Sequence, residues 1–224
     1  TENTFGSVFE LVDAKSMDSI MKKEPNRIKE MEDVYCNLLK TISATKVPSN
    51  DLPSAKDYGR EWLKVIVPYL GKDLGNKVTS LIESIADEDC LIHGDCHMKN
   101  IFVTNGEPLL IDMETISRGN HIFEYAPLYG SFFVYEMAIP DNDLKFFGLP
   151  AEVVQPFFMN AFRSIYSGKS EEEFAQMVTQ LRFVAGCLIL YRTLTFTPDD
   201  ERLLGVAKSL IEEGVEKLDH LGLD

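Results

Sequence analysis

His93-Gly94-Asp95-Cys96-His97-Met98-Lys99-Asn100 is a dense polar loop that leads into Ile101-Phe102-Val103-Thr104, then Asn105-Gly106, then Glu107-Pro108-Leu109-Leu110-Ile111-Asp112. The Asn-Gly pair reads as the two-residue turn of a β-hairpin, because both residues tolerate the positive φ of a type I′ turn. The hairpin strands bring Asn100 at their start close to Asp112 at their end, two polar residues capping apolar strands. An amide oxygen and a carboxylate converging there suit Mg2+, a hard ion that takes one or two protein oxygens and leaves its other positions to phosphate and water. Asp95 lies in the preceding loop, where it can face a substrate hydroxyl as a general base or orienting group.

On either side the pattern is helical. Ile28, Met31, Val34, Tyr35, Leu38, Leu39 and Ile42 follow i, i+3, i+4 spacing, one face of a helix starting near Asn26. Residues 47–53 form a loop carrying two prolines, Pro48 and Pro53. Helices are expected at residues 55–69 and 72–86, and again at 122–137, 151–166, 171–195 and 199–221. The stretch 183–191 is apolar nearly all round, which marks a helix buried on several sides. The apolar run 183–190 is too short to cross a bilayer. Glu171-Glu172-Glu173 and Asp199-Asp200-Glu201 fall at helix starts, where acidic residues complement the helix dipole. The expected fold is mainly α (α+β), helical with a small central β-hairpin.

The 224 residues leave room for one large domain or two small ones. Hydrophobic residues make up 45% and charged residues 26%, a globular balance rather than a disordered one. With 36 acidic and 22 basic residues the formal net charge is −14. Such a chain is a poor partner for nucleic acid or an anionic membrane, and its field mildly favours a cationic small molecule. Cys36, Cys90, Cys96 and Cys187 lie far apart with no C-x-x-C pair, as expected of reduced thiols in a cytoplasmic protein.

The pattern His-Gly-Asp-x-His-x-x-Asn at 93–100, followed by Ile111-Asp112-x-Glu114, resembles the aminoglycoside phosphotransferase and choline kinase family, whose fold is protein-kinase-like. The order D-x-x-x-x-N, short hairpin, metal-binding Asp is also that of the kinase catalytic core. The resemblance implies an ATP- (or GTP-) and Mg-dependent phosphotransferase acting on a hydroxyl of a small molecule, possibly a cationic one. It makes Asp95 the catalytic residue and has Asn100 and Asp112 hold Mg2+ against the nucleotide phosphates. His93 would be structural, and Glu114 a secondary acid near the metal. It also makes residues 14–224 a helical C-terminal lobe, with catalytic loop 93–100 and metal-binding segment 111–114. Residues 1–13 would be the last N-lobe strand and hinge, with the Glu10 and Val12 backbone bonding adenine. Gly119-Asn120-His121-Ile122-Phe123-Glu124 stands where the family usually reads Gly-Asp-Pro-x-x-Asp. Asn120, His121 and Glu124 depart from that, so no catalytic role is carried onto them. The phosphate-gripping Lys, its Glu partner and a glycine-rich covering loop are not found before residue 13. The chain is therefore expected to be a fragment lacking most of the N-lobe and inactive by itself.

Two other classes compete. One is a non-catalytic kinase-like binding module. The other is a metal-dependent hydrolase using His93, Asp95, His97 and Asp112. Cys96 reads as a buried thiol rather than a nucleophile. Phe132-Phe133-Val134-Tyr135 and Phe157-Phe158 read as core rather than as an aromatic cage.

Overall fold

The computed structural model describes residues 13–48 and 51–223. The strand and hinge expected within residues 1–13, including the hinge positions Glu10 and Val12, lie outside them except for Asp13. A two-residue strand, β1 (Lys15–Ser16), runs directly into helix α1 (Met17–Lys23), and a 3-10 turn at Pro25–Arg27 leads to α2 (Ile28–Ala44). The periodic apolar face of α2 is the one that packs: Met31, Tyr35, Leu39 and Ile42 are all buried. Helices α3 (Ala55–Leu70) and α4 (Lys72–Ser84) follow, separated by Gly71 as expected, with Trp62, Ile66, Val78 and Ile82 turned into the core.

The hairpin forms where the Asn-Gly pair requires it. After the short strand β2 (Cys90–Ile92), β3 (Ile101–Thr104) and β4 (Glu107–Leu110) pair antiparallel with Ile101 opposite Leu110 and Thr104 opposite Glu107. Asn105 and Gly106 take φ of 52° and 84°, the two positive values of a type I′ turn. One further hydrogen bond, from the Ile111 N–H to the Asn100 carbonyl at 3.0 Å, extends the ladder, so Asp112 follows directly on the residue opposite Asn100. β1 adds to the free edge of β3 and completes a three-stranded sheet.

A second, two-stranded sheet was not expected. β5 (Ser117–Gly119) pairs antiparallel with β2, Cys90 opposite Gly119 and Ile92 opposite Ser117. Neither strand alternates apolar and polar residues over more than three positions, so no periodicity announces it. The pair ties the two ends of the polar loop and hairpin together.

The expected helix at residues 122–137 is three segments. α5 (Ile122–Tyr129) widens into a π-helical turn at Gly130–Val134 and resumes as α6 (Tyr135–Ala138). The apolar pattern runs unbroken through the change, so the switch to i→i+5 hydrogen bonding leaves no mark in the sequence. A short helix, α7 (Asn142–Phe147), was also unannounced, and α8 (Ala151–Ile165) follows. α9 (Glu171–Phe196) opens on a capping box: Ser170 accepts from the Glu173 N–H while Glu173 accepts from the Ser170 N–H. α10 (Glu201–Lys217) is capped by Asp200, which accepts from the Leu203 N–H. α10 stops four residues short of the expected 221. Beyond it the chain is held by tertiary bonds, with the Leu221 N–H donating to Ser84 Oγ and the Gly222 N–H to Gln180 Oε1.

α9 is the central helix. Its 26 residues are long and apolar enough to cross a membrane by length and composition, unlike the shorter run read from the sequence. In the fold it is sheathed by α3, α5 and α10, and every residue from Phe183 to Leu190 is buried. α10 packs against it tightly at Gly214, where an added Cβ would stand 2.5 Å from Cδ2 and 2.7 Å from Cβ of Phe183. Gly214→Ala gains about 1 kcal/mol of helix propensity but overpacks the rigid ring by more. The expected net loss is about 2 kcal/mol, seen as a drop in Tm of roughly 4–8 °C. An unchanged melting curve would mean that the α9–α10 contact is looser than described.

Candidate functional site

The polar loop is fixed from beneath by a buried carboxylate. Glu124, on the first turn of α5, is fully buried, and its Oε2 accepts the His93 N–H at 2.6 Å and the Gly94 N–H at 3.0 Å. Burial pushes the Glu124 carboxyl up to about 7, and the Gly94 and His93 N–H groups oppose that rise by favouring the ionised form. No role was expected for Glu124. In the fold it anchors the start of the loop, a partnership across 31 positions that no local spacing announces.

His93 ties the loop to the end of the hairpin. Its Nδ1 accepts the Asp95 N–H at 3.3 Å, which puts the ring proton on Nε2, and Nε2 donates to the Ile111 carbonyl at 3.1 Å. Burial lowers the His93 pKa, against the pull of that hydrogen bond and of the nearby Asp95 and Asp112, so the neutral tautomer is the stable one. The His93 carbonyl accepts the Thr115 hydroxyl at 2.6 Å. The loop thus touches α5, the hairpin and the segment before β5.

Asp95 projects from this frame with an intermediate exposure. Its Oδ2 and its own carbonyl both accept from Asn100 Nδ2, at 2.9 and 3.0 Å. His97 Nε2 lies 3.7 Å from the same Oδ2. The Asn100 amide nitrogen is fully used, which leaves its Oδ1 as a free acceptor. Asp112 sits in the left-handed region at φ 60°, ψ 65°, with an exposed carboxylate. Asn100 Oδ1 and the Asp112 carboxylate are hard oxygen donors at adjacent ladder positions, and they fit Mg2+ in kind. Glu114 is exposed on the same edge.

Two sequence alternatives fail on geometry. Both ring nitrogens of His93 are engaged, so it has no lone pair for a metal, and among the described residues no three His, Cys, Asp or Glu side chains converge as a metal group. The hydrolase arrangement of His93, Asp95, His97 and Asp112 is therefore not formed. Cys96 is fully buried, its thiol held well above the ordinary range by burial, and its carbonyl accepts from Tyr35 Oη at 3.1 Å. It is core, not a nucleophile.

Cavities open on both sides of the loop. One, of about 400 Å3, is lined by Tyr58, Glu61, Trp62, Gly94, Glu114 and Arg192 among others. The other, of about 320 Å3, is lined by Asp95, His97, Ser131, Tyr135, Phe146 and Arg192, with Asn142 at its side. Phe132, Val134, Phe157 and Phe158 are buried core, as the sequence suggested, but Tyr135 reaches the second cavity. That cavity draws on the π turn, α6 and α7, elements which carry no signal of their own in the sequence. No protein-family model matches the chain, and no curated protein matches it significantly.

Proposed function

We propose that residues 14–224 form the helical lobe of a protein-kinase-like phosphotransferase of the aminoglycoside phosphotransferase and choline kinase type. It would transfer the γ-phosphoryl group of ATP or GTP to a hydroxyl of a small molecule. The observation that carries this reading is the Asp95 carboxylate. It is steered by Asn100, borders a cavity of about 320 Å3 and lies beside the open end of the hairpin, where Asp112 also stands.

Asp95 accepts the proton of the acceptor hydroxyl as that oxygen bonds to the γ-phosphorus and the bond from phosphorus to the departing nucleoside diphosphate breaks. The Asn100 amide keeps one carboxylate oxygen turned toward the acceptor side, and its Oδ1 would hold Mg2+ with Asp112. Bound Mg2+ supplies charge neutralisation at the phosphates. The neutral, doubly bonded His93 keeps the loop in register with the hairpin. The four cysteines are free and buried, in keeping with a reducing cytoplasmic setting.

The test is Asp112→Ala in the full-length protein, including any residues encoded before Thr1, titrated with ATP in the presence and absence of Mg2+. Loss of one of two protein oxygens on the metal is expected to weaken Mg-dependent nucleotide binding about 100-fold. Unchanged affinity would remove Asp112 from the metal site.

A further inference from the structure

Arg192 stands where the two cavities meet, the one residue lining both and the only lysine or arginine among the lining groups of either. It lies on α9 just past the run of eight buried residues that ends at Leu190, and its own exposure is intermediate. Arg27, Arg60, Arg118, Arg163 and Arg182 each hold a carboxylate. Arg192 makes no hydrogen bond or ion pair to any described residue, although Glu61 and Glu114 line the first cavity with it and Asp95 lines the second. Glu61 is taken by Lys64 instead. A half-buried guanidinium without a partner has lost part of its hydration and gained nothing for it within the chain. Its nitrogens are not among the buried unpaired atoms, so they remain open to whatever fills the cavities. Among the side chains facing it across the second cavity are Ser131 and Tyr135, whose hydroxyls also make no hydrogen bond to described residues.

We propose that Arg192 binds an anionic group, a carboxylate or a phosphate, on the acceptor alcohol. The guanidinium presents parallel N–H donors in a planar fork that matches either group. The −14 field of the chain repels an anion at long range, so a local cation is what such an acceptor needs, and Arg192 is the one lysine or arginine lining these cavities. Ser131 and Tyr135 would hold neighbouring hydroxyls of the acceptor while Asp95 receives the reacting one. An anionic acceptor would depart from the weak preference for a cationic one read from net charge. The inference rests on the phosphotransferase reading for the identity of the ligand as an acceptor, though not for the existence of an anion site.

The test uses four alcohols built on one three-carbon skeleton: glycerate, glycerol 3-phosphate, glycerol and 3-aminopropane-1,2-diol. Nucleotide consumption by the full-length protein is measured with each, and binding is measured separately by calorimetry. The wild type is expected to prefer one of the two anions over glycerol by about 100-fold in kcat/KM, the effect of a lost bidentate charged pair. Which anion it is separates carboxylate from phosphate. Arg192→Ala should collapse that ratio toward one, and Arg192→Lys, which keeps the charge and loses the fork, should restore it in part; melting curves establish that both variants are folded. A wild-type preference for glycerol or the aminodiol, or a ratio unmoved in Arg192→Ala, overturns the proposal and leaves the phosphotransferase reading standing. If no alcohol is phosphorylated, that reading fails instead, and calorimetry decides the anion site: anion binding lost in Arg192→Ala supports it, and no binding by the wild type overturns it.

Discussion

Replacing Glu124 with alanine is expected to destabilise the protein by about 3 kcal/mol at pH 6, since two inward-facing N–H groups lose their acceptor at about 1–3 kcal/mol each. Relief from burying a carboxyl offsets part of that loss. The loop that carries Asp95 would lose its floor, so transfer activity should fall with stability. Glu124→Gln is the sharper variant. Its amide oxygen still accepts from His93 and Gly94, while the group can no longer titrate. Burial pushes the Glu124 carboxyl up to about 7, so between the ordinary carboxylate range and pH 7 the folded protein keeps a proton that the unfolded chain has released. Stability from this group is therefore fully present at low pH and is lost as pH rises through 7, to a total on the order of 3 kcal/mol. Asp143 acts in the same direction: burial, then the nearby Glu136 charge, pushes it up to about 7. Urea unfolding at pH 5.5 and pH 8 should show a steep fall for the parent and a shallower one for Glu124→Gln, the remainder belonging to Asp143. Equal slopes in parent and variant would show that the Glu124 carboxyl does not titrate where its burial places it.

Asp95→Asn is expected to lower phosphoryl transfer by about 1,000-fold while nucleotide affinity stays within a few-fold, the pattern of a residue that acts only as the hydroxyl proton moves. The substitution is conservative for the fold. Asn100 Nδ2 donates to the Asp95 carbonyl as well as to its carboxylate, and an asparagine side-chain oxygen can replace the second acceptor. A stable, nucleotide-binding, inert protein is thus the expected product. Coupled nucleotide consumption and calorimetry on the same preparation read the two quantities. Transfer retained within tenfold would remove Asp95 as the proton acceptor. Loss of nucleotide binding along with transfer would make it a structural or metal-site residue instead.

The parts legible in advance share one property: their chemistry is local. Asn105-Gly106 dictates its own turn, and the turn fixes the register that carries Asn100 and Asp112 to one end. The helices at Ile28–Ala44, Ala55–Leu70 and Ala151–Ile165 follow from apolar spacing that any reader of the chain can count. The Ser170 capping box needs only residues three apart. His93, Asp95 and Asn100 lie within eight positions of one another, so their partnership is also written in order.

What escaped has partners far away in sequence. Glu124 meets His93 across 31 positions, beyond the reach of any local spacing rule. The β2–β5 pair joins two tripeptides too short to show alternation, and the π turn at Gly130–Val134 lies inside an apolar run that looks helical throughout. Arg192 reads in the chain as one more cation on a helix. Its meaning comes only when α9 threads the core and brings its far end into the cavity wall beside Asp95, where no carboxylate pairs with it. Backbone dihedrals and i, i+3, i+4 neighbours are set by adjacent residues, and so they can be read from the chain alone. Burial, the fate of a lone charge and the walls of a cavity depend on which distant segments pack together, and only the folded protein decides that.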